Sequence, residues 1–201
     1  MSKLITTPKG KAIYPHVNEA DTKFDANGKY TCDILVPAED AEPLLEELER
    51  QCEAEYEKTC EALRNSGKKK MPRRAPMPIE EDEEGMYIVK CRRPAKVISK
   101  KNGKTYEFSI KLFDAKGQPT KAQVGSGSVV RTSVEPYFWT SPSLGFGMSL
   151  RLQAVQILEL VEPSGGGNAD SFGFAEEDGS FVSEGESFDD TLQDSETNGD
   201  F

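Results

Sequence analysis

Histidine is almost missing from this sequence: His16 is the only one in 201 residues. Cysteine is scarce as well, and Cys32, Cys52, Cys60 and Cys91 show no C-x-x-C spacing. A zinc site needs convergent Cys and His ligands at recognisable spacing, so none is expected. MSKLITTPKG lacks the apolar core of a secretion signal, so export is not expected and the thiols read as buried and reduced. No run approaches the ~20 apolar residues of a membrane helix, and the chain reads as soluble. G-x-x-x-x-G-K-[ST] is absent, which excludes a nucleotide-hydrolysing P-loop. Gly125-Ser126-Gly127 and Gly145-Phe146-Gly147 lack the third glycine and the helical setting of a dinucleotide fingerprint, and read as strand bends. Carboxylate pairs such as Glu80-Glu81 fall in an expected loop, where nothing would hold a metal rigidly. His16, in YPHVNEAD, reads as a surface loop residue rather than a general base. The chain is therefore read as a non-enzyme that requires no cofactor.

One end of the chain also lacks positive charge. Glu162 to Phe201 holds twelve acids and no Lys or Arg, whereas residues 1–161 hold 23 acids and 25 bases. Within that body, Met86 to Arg131 carries eleven bases against two acids. The formal net charge of -10 thus describes neither part. We read a body at 1–161 and an acidic tail at 162–201. The tail is rich in Gly, Ser, Asp and Glu, so it cannot bury enough apolar surface to offset its ordering entropy, and no fixed structure is expected there. Phe172, Phe174, Phe181, Phe188 and Phe201 are spaced along it as docking points for partners.

The body has a legible order of elements. GKYTCDILVP at 28–37 alternates apolar and polar residues between an Asn-Gly turn and a proline, which predicts a strand. Ala41, Leu44, Leu45, Leu48, Cys52, Tyr56, Cys60 and Leu63 recur at three- and four-residue steps, which predicts an amphipathic helix over 38–65 with Asp40 as its cap. Residues 66–85 read as a loop, with KKKMPRR as either a nuclear signal, a nucleic-acid patch or a plain basic loop. Met86–Arg93 and Ala95–Ser99 read as one extended stretch interrupted at Pro94, and Asn102-Gly103 as a type I′ hairpin turn. The return strand puts Tyr106, Phe108, Ile110 and Leu112 on one apolar face, expected to be core. Gly125–Val134 pairs next. The run from Phe146 alternates to Leu152, then slips phase toward Val155 and Ile157, which predicts a bulge near Ala154. About five bent strands and one long helix suggest a closed barrel of the OB type, with a sandwich as the competitor.

Cations interleaved with aromatics suit single-stranded nucleic acid, whose phosphates need positive charge and whose bases need exposed rings. Arg92, Arg93, Lys96, Lys100, Lys101, Lys104, Lys111 and Arg131 supply the charge. Tyr137 and Trp139 project to one side of a strand end and Phe138 to the other; burial is the alternative for Trp139. The competing class is an acidic-tailed interaction protein or chaperone without DNA affinity.

In GKYTCDILVP, YIVKCRR, KKNGKTYEFSIKLFDAKG, VEPYFW, GMSLRLQAVQILELVEPSGGG and the terminal Asn198-Gly199-Asp200-Phe201, in that order, the chain resembles the single-stranded DNA-binding proteins of T7-like bacteriophages. The resemblance implies a mainly β OB-fold, sequence-tolerant coating of single-stranded DNA, and roles in DNA replication, recombination and repair. It also implies frequent dimerisation and an intracellular setting in the host cytoplasm. It maps DNA contacts onto Tyr137, Lys100 and Lys101. Contact with phage DNA polymerase and helicase/primase maps onto the tail, ending in Asp200 and Phe201.

Overall fold

The computed structural model describes residues 4–23, 25–99 and 102–163. In chain order its elements are β1 (Ile5–Thr6), β2 (Gly10–Asp21), β3 (Lys29–Val36), α1 (Ala38–Asn65), β4 (Ile79–Glu81), β5 (Tyr87–Val89) and β6 (Cys91–Pro94). There follow β7 (Lys96–Ile98), β8 (Thr105–Glu107), β9 (Lys111–Phe113), β10 (Val129–Ser141) and β11 (Gly145–Glu159). Five strands form a ring in the order β2-β3-β6-β11-β10, and β10 pairs back onto β2. Every junction in the ring is antiparallel except β6 with β11. A closed five-stranded ring with one parallel junction is an OB barrel, and its closure excludes the open edges of a sandwich. β5 and β4 extend the sheet beyond β3, β9 lies beside β11, and β1 beside β10. β7 and β8 form a separate two-stranded ribbon.

Alternation explains the core. Ile34 and Val36 of β3, Val130 and Val134 of β10, and Leu150 and Leu152 of β11 all point inward and are essentially inaccessible. Truncating either leucine to Ala would cost about 2–5 kcal/mol. On β11 the inward positions change from even to odd numbers, with Val155 and Ile157 buried after Leu152. The register explains this: Val134 faces Leu152 but Ser133 faces Ala154, so Gln153 is the extra residue of a bulge. Pro136 sits inside β10 at no cost to the ladder, because beyond Val134 only β11 pairs with that strand. One polar cluster is buried. Thr132 N–H donates to Thr7 Oγ1 at 2.9 Å, the two hydroxyls lie 3.1 Å apart, and Cys91 Sγ lies 3.3 Å from Thr132 Oγ1. All four cysteines are free thiols, with Cys52 alone half-buried. Burial pushes the Cys91 thiol up to about 12 and raises Cys32 as well.

Helix α1 has the expected bounds and buries Ala41, Leu44, Leu48 and Cys60. Five expectations need correction. Pro37, not Asp40, is the helix cap, and no side chain caps it; Asp40 lies inside the first turn, where its charge favours the helix dipole. His16 is an exposed strand residue opposite Thr31 rather than a loop residue. The span 66–85 contains β4 and a bridge between Arg74 and Phe146, so it is partly ordered by sheet pairing. The β7–β8 ribbon closes with Ser99 N–H donating to Lys104 O at 2.9 Å, a wider closure than a two-residue type I′ turn allows. Finally, Tyr106 is 47% exposed, because β8 leaves the barrel as part of the ribbon and only Ile110 and Leu112 return to the core.

Candidate nucleic-acid interface

The outward face of β10 carries Arg131, Ser133, Glu135, Tyr137 and Trp139, since the intervening Val130, Thr132 and Val134 fill the barrel. Register sets what each one meets on β11. Trp139 faces Gly147, and its ring lies where a side chain at 147 would stand: a Cβ there would come within 2.4 Å of Cζ2. Trp139 Nε1 donates to Ser149 Oγ at 3.0 Å. The ring is thus half-buried against the outside of the sheet, not in the core. Phe138 points inward and stacks on Phe146 at 6.3 Å, with Tyr56 of α1 edge-on to Phe146 at 5.4 Å. Tyr137 is 42% exposed. The Arg151 guanidinium sits over its ring at 3.4 Å, covering one face by a cation–π contact.

The cations continue across the parallel junction. Arg151 pairs in register with Arg92 of β6, whose Nη2 donates to Asp33 Oδ2 on β3 at 2.9 Å. That carboxylate holds the Arg92 guanidinium above its ordinary value. The next residue, Arg93, donates to Leu152 O at 3.3 Å and to Gln153 Oε1, while Gln153 Nε2 donates to Glu135 Oε2 at 3.0 Å. Arg93 also covers the Phe108 ring at 4.2 Å, which pins the base of the ribbon to the barrel. Burial first, and the neighbouring Arg151 charge second, lower the Arg93 guanidinium below its ordinary value. Two arginines crowded together and partly desolvated make a place where an anion is favoured.

The structure therefore brings Arg92, Arg93, Tyr137 and Trp139 into one curved surface spanning β6, β11 and β10. The ribbon adds Lys104, exposed at its end, and Lys96, which is paired with Glu107 at 3.1 Å. Lys111 is exposed on β9 opposite Ala154, farther along β11. Arg131 lies six residues before Tyr137, roughly 20 Å along the strand. There it donates from Nε to Thr7 O at 3.2 Å beside the start of α1, and is not part of the same surface. Lys100, Lys101, Asp200 and Phe201 lie outside the described residues. Sequence reasoning missed Arg151, Gln153 and the exposed Tyr106. Arg151 carried a signal, as the one basic residue among the alternating positions of β11. Among the described residues no group of His, Cys, Asp and Glu converges as a metal site, and no helix is long and apolar enough to cross a membrane.

The family model of the single-stranded DNA-binding protein of bacteriophage T7 matches residues 9–160. The chain is 27% identical over 175 residues to the single-stranded DNA-binding protein of Escherichia phage T7, covering 81% of this chain and 75% of that protein. It is 26% identical over 178 residues to the single-stranded DNA-binding protein of Enterobacteria phage T3, covering 82% and 76%. Among solved structures, the single-stranded DNA-binding protein encoded by bacteriophage T7 superposes with a TM-score of 0.72 at 23% identity, over 91% of this chain and 100% of that one. The single-stranded DNA-binding protein of bacteriophage Enc34, solved in complex with single-stranded DNA, gives a TM-score of 0.56 at 16% identity, over 81% and 89%. Both likenesses establish a shared fold.

Proposed function

Given that this chain belongs to the family of the bacteriophage T7 single-stranded DNA-binding protein, we propose that it binds single-stranded DNA without strong sequence preference and without catalysis. The observation that carries this reading is the surface where Tyr137 and Trp139 stand side by side on one face of β10, with Arg151 on the tyrosine. A base has a π-face whatever its identity, so an exposed ring next to fixed cations binds strands indifferently to sequence. Arg92, Arg93 and Arg151 supply phosphate contacts at the platform. Lys96, Lys104 and Lys111, with Lys100 and Lys101 between the ribbon strands in sequence, extend the positive field, and Arg131 acts only as a distant contributor to it. Tyr106 adds a second exposed ring on the ribbon.

The tail completes the mechanism. Its twelve acids compete with phosphates for the same cations. DNA entering the surface expels the tail and frees Asp200 and Phe201 to dock phage DNA polymerase and helicase/primase. The setting is phage replication, recombination and repair in the host cytoplasm, with the protein acting as a homodimer. Titration of a labelled oligo-dT tests the core of this reading. Affinity should fall steeply with salt, with a slope of about 0.7 per phosphate neutralised. A protein that ignores oligo-dT at low salt would instead be the acidic-tailed interaction protein.

A further inference from the structure

The platform leaves one strongly basic feature unused. Lys68, Lys69, Lys70, Arg73 and Arg74 put five cations into seven residues. Backbone bonds strap this segment to the end of the barrel. Phe146 N–H donates to Arg73 O at 2.8 Å, and Ala75 N–H donates to Phe146 O at 2.8 Å. The strap needs Gly145, which has φ +91° and would carry a Cβ 2.0 Å from Arg73 O. Arg73 Nη2 then reaches across to donate to Ser143 O at 2.6 Å.

Between the strap and the β10–β11 turn lies an open groove of about 790 Å³, lined by Lys68, Lys70, Arg73, Thr140 and Ser141 among others. Its lining has no acidic residue. Two other clefts that border α1 differ, one holding Glu46, Glu49 and Glu53 and the other Asp40 and Glu47. Lys68 and Lys70 are exposed, with no ion pair among the described residues. Arg74 does not share this role, since it pairs with Glu53 and covers the Tyr56 ring at 4.3 Å. Thr140 directly follows Trp139 on β10 and by alternation faces the other side of the strand, so the groove lies around the strand end from the platform.

We propose that this groove holds the phosphodiester backbone of the strand as it leaves the Trp139 end of the platform, carrying the bound path around the β10–β11 turn. The inference rests on the single-strand reading above and adds a second, backbone-only segment to it. Compact ammonium charges and hydroxyl donors suit phosphate oxygens, and the groove presents no ring on which a base would stack.

The test uses the full chain and its Lys68→Gln, Lys70→Gln double variant, whose exposed side chains leave folding untouched. Each is titrated with oligo-dT of about 5 and about 15 nucleotides, within the range one OB fold covers. The variant should bind the short oligomer like the wild type and the long one several-fold more weakly. Its salt slope for the long oligomer should drop by about 1.4, or about 0.7 for each phosphate no longer neutralised. Unchanged binding at both lengths overturns the proposal. An equal loss at both lengths also overturns it, because the lysines then act only through their general field. Tighter binding overturns it too, pointing to an acidic segment of the chain as the occupant. A wild-type chain that binds neither oligomer removes the single-strand reading itself, and the groove proposal with it.

Discussion

Replacing Tyr137 with Ala separates a binding ring from a structural one, because the two roles predict different magnitudes. The ring is already 42% exposed, and the Arg151 guanidinium lies 3.4 Å from its centroid. Losing an exposed cation–π interaction costs about 0.5–1 kcal/mol of stability. For a chain of this size that is a fall of about 2–4 °C in Tm per kcal/mol. Losing a stacking platform costs about 1–3 kcal/mol of binding, or about 5–150-fold in Kd. Fluorescence anisotropy with labelled oligo-dT reads the second quantity and thermal melting the first. Arg151→Gln extends the experiment. It should lower the salt slope by about 0.7 if the guanidinium meets a phosphate. If Arg151 also orients the ring, the double variant loses less than the sum of the single losses, by about 0.5–1 kcal/mol. A Tyr137→Ala protein with wild-type affinity, or one that melts far below the expected range, refutes the reasoning.

Other consequences are open to direct measurement. Gly147→Ala should push Trp139 off its seat, costing about 1–3 kcal/mol through overpacking. It should also red-shift the emission of the sole tryptophan and weaken oligo-dT binding, while circular dichroism stays unchanged. Tyr106→Ala should leave Tm almost unmoved, since surface changes stay within about 0.5 kcal/mol, yet weaken binding by about one stacking interaction. Cys32 and Cys91 predict an alkaline limit to stability. Their thiols titrate near 9.0 when unburied and are raised in the fold, so below that pH both states are protonated and stability is full. Above it the unfolded chain releases protons that the native barrel retains, and stability falls by about 1.4 kcal/mol per pH unit for each thiol. Thermal melts on the alkaline side check this; Cys91→Ala should remove one thiol's share of the slope, and a flat profile would contradict the burial argument.

Local pattern was enough for much of this protein. A stripe at three- and four-residue steps set helix α1 at its observed bounds, and alternation with a slip beyond Leu152 foretold the bulge now placed at Gln153. Segregated charge by itself separated the basic body from the acidic end. Those properties depend on neighbours in the chain, so periodicity and composition encode them. What each side chain meets across strands is different. Tyr106 shared an apolar face with Ile110 and Leu112, yet it is exposed because the ribbon departs from the barrel, which no period of two can announce.

The site itself was decided by register. Lys96 and Arg92 looked like free cations in sequence, but Glu107 stands opposite Lys96, and Asp33, two residues along β3 from the Thr31 opposite Arg92, pairs with that arginine, so both are partly neutralised. Arg131 and Tyr137 belong to one strand and one face, yet the strand's length puts them at separate places. Arg151 reaches Tyr137, and Trp139 finds the bare backbone of Gly147, because β10 and β11 pair without a slip from Ser141 and Gly145 as far as Val134 and Leu152, where the bulge at Gln153 begins. A slip of β11 by one residue would turn Arg151 into the core and its leucines out of it. The chain alone thus determined which residue types face outward and where charge accumulates. Which of them touch required the closed ring, because partners there lie tens of residues apart and are brought together by strand pairing.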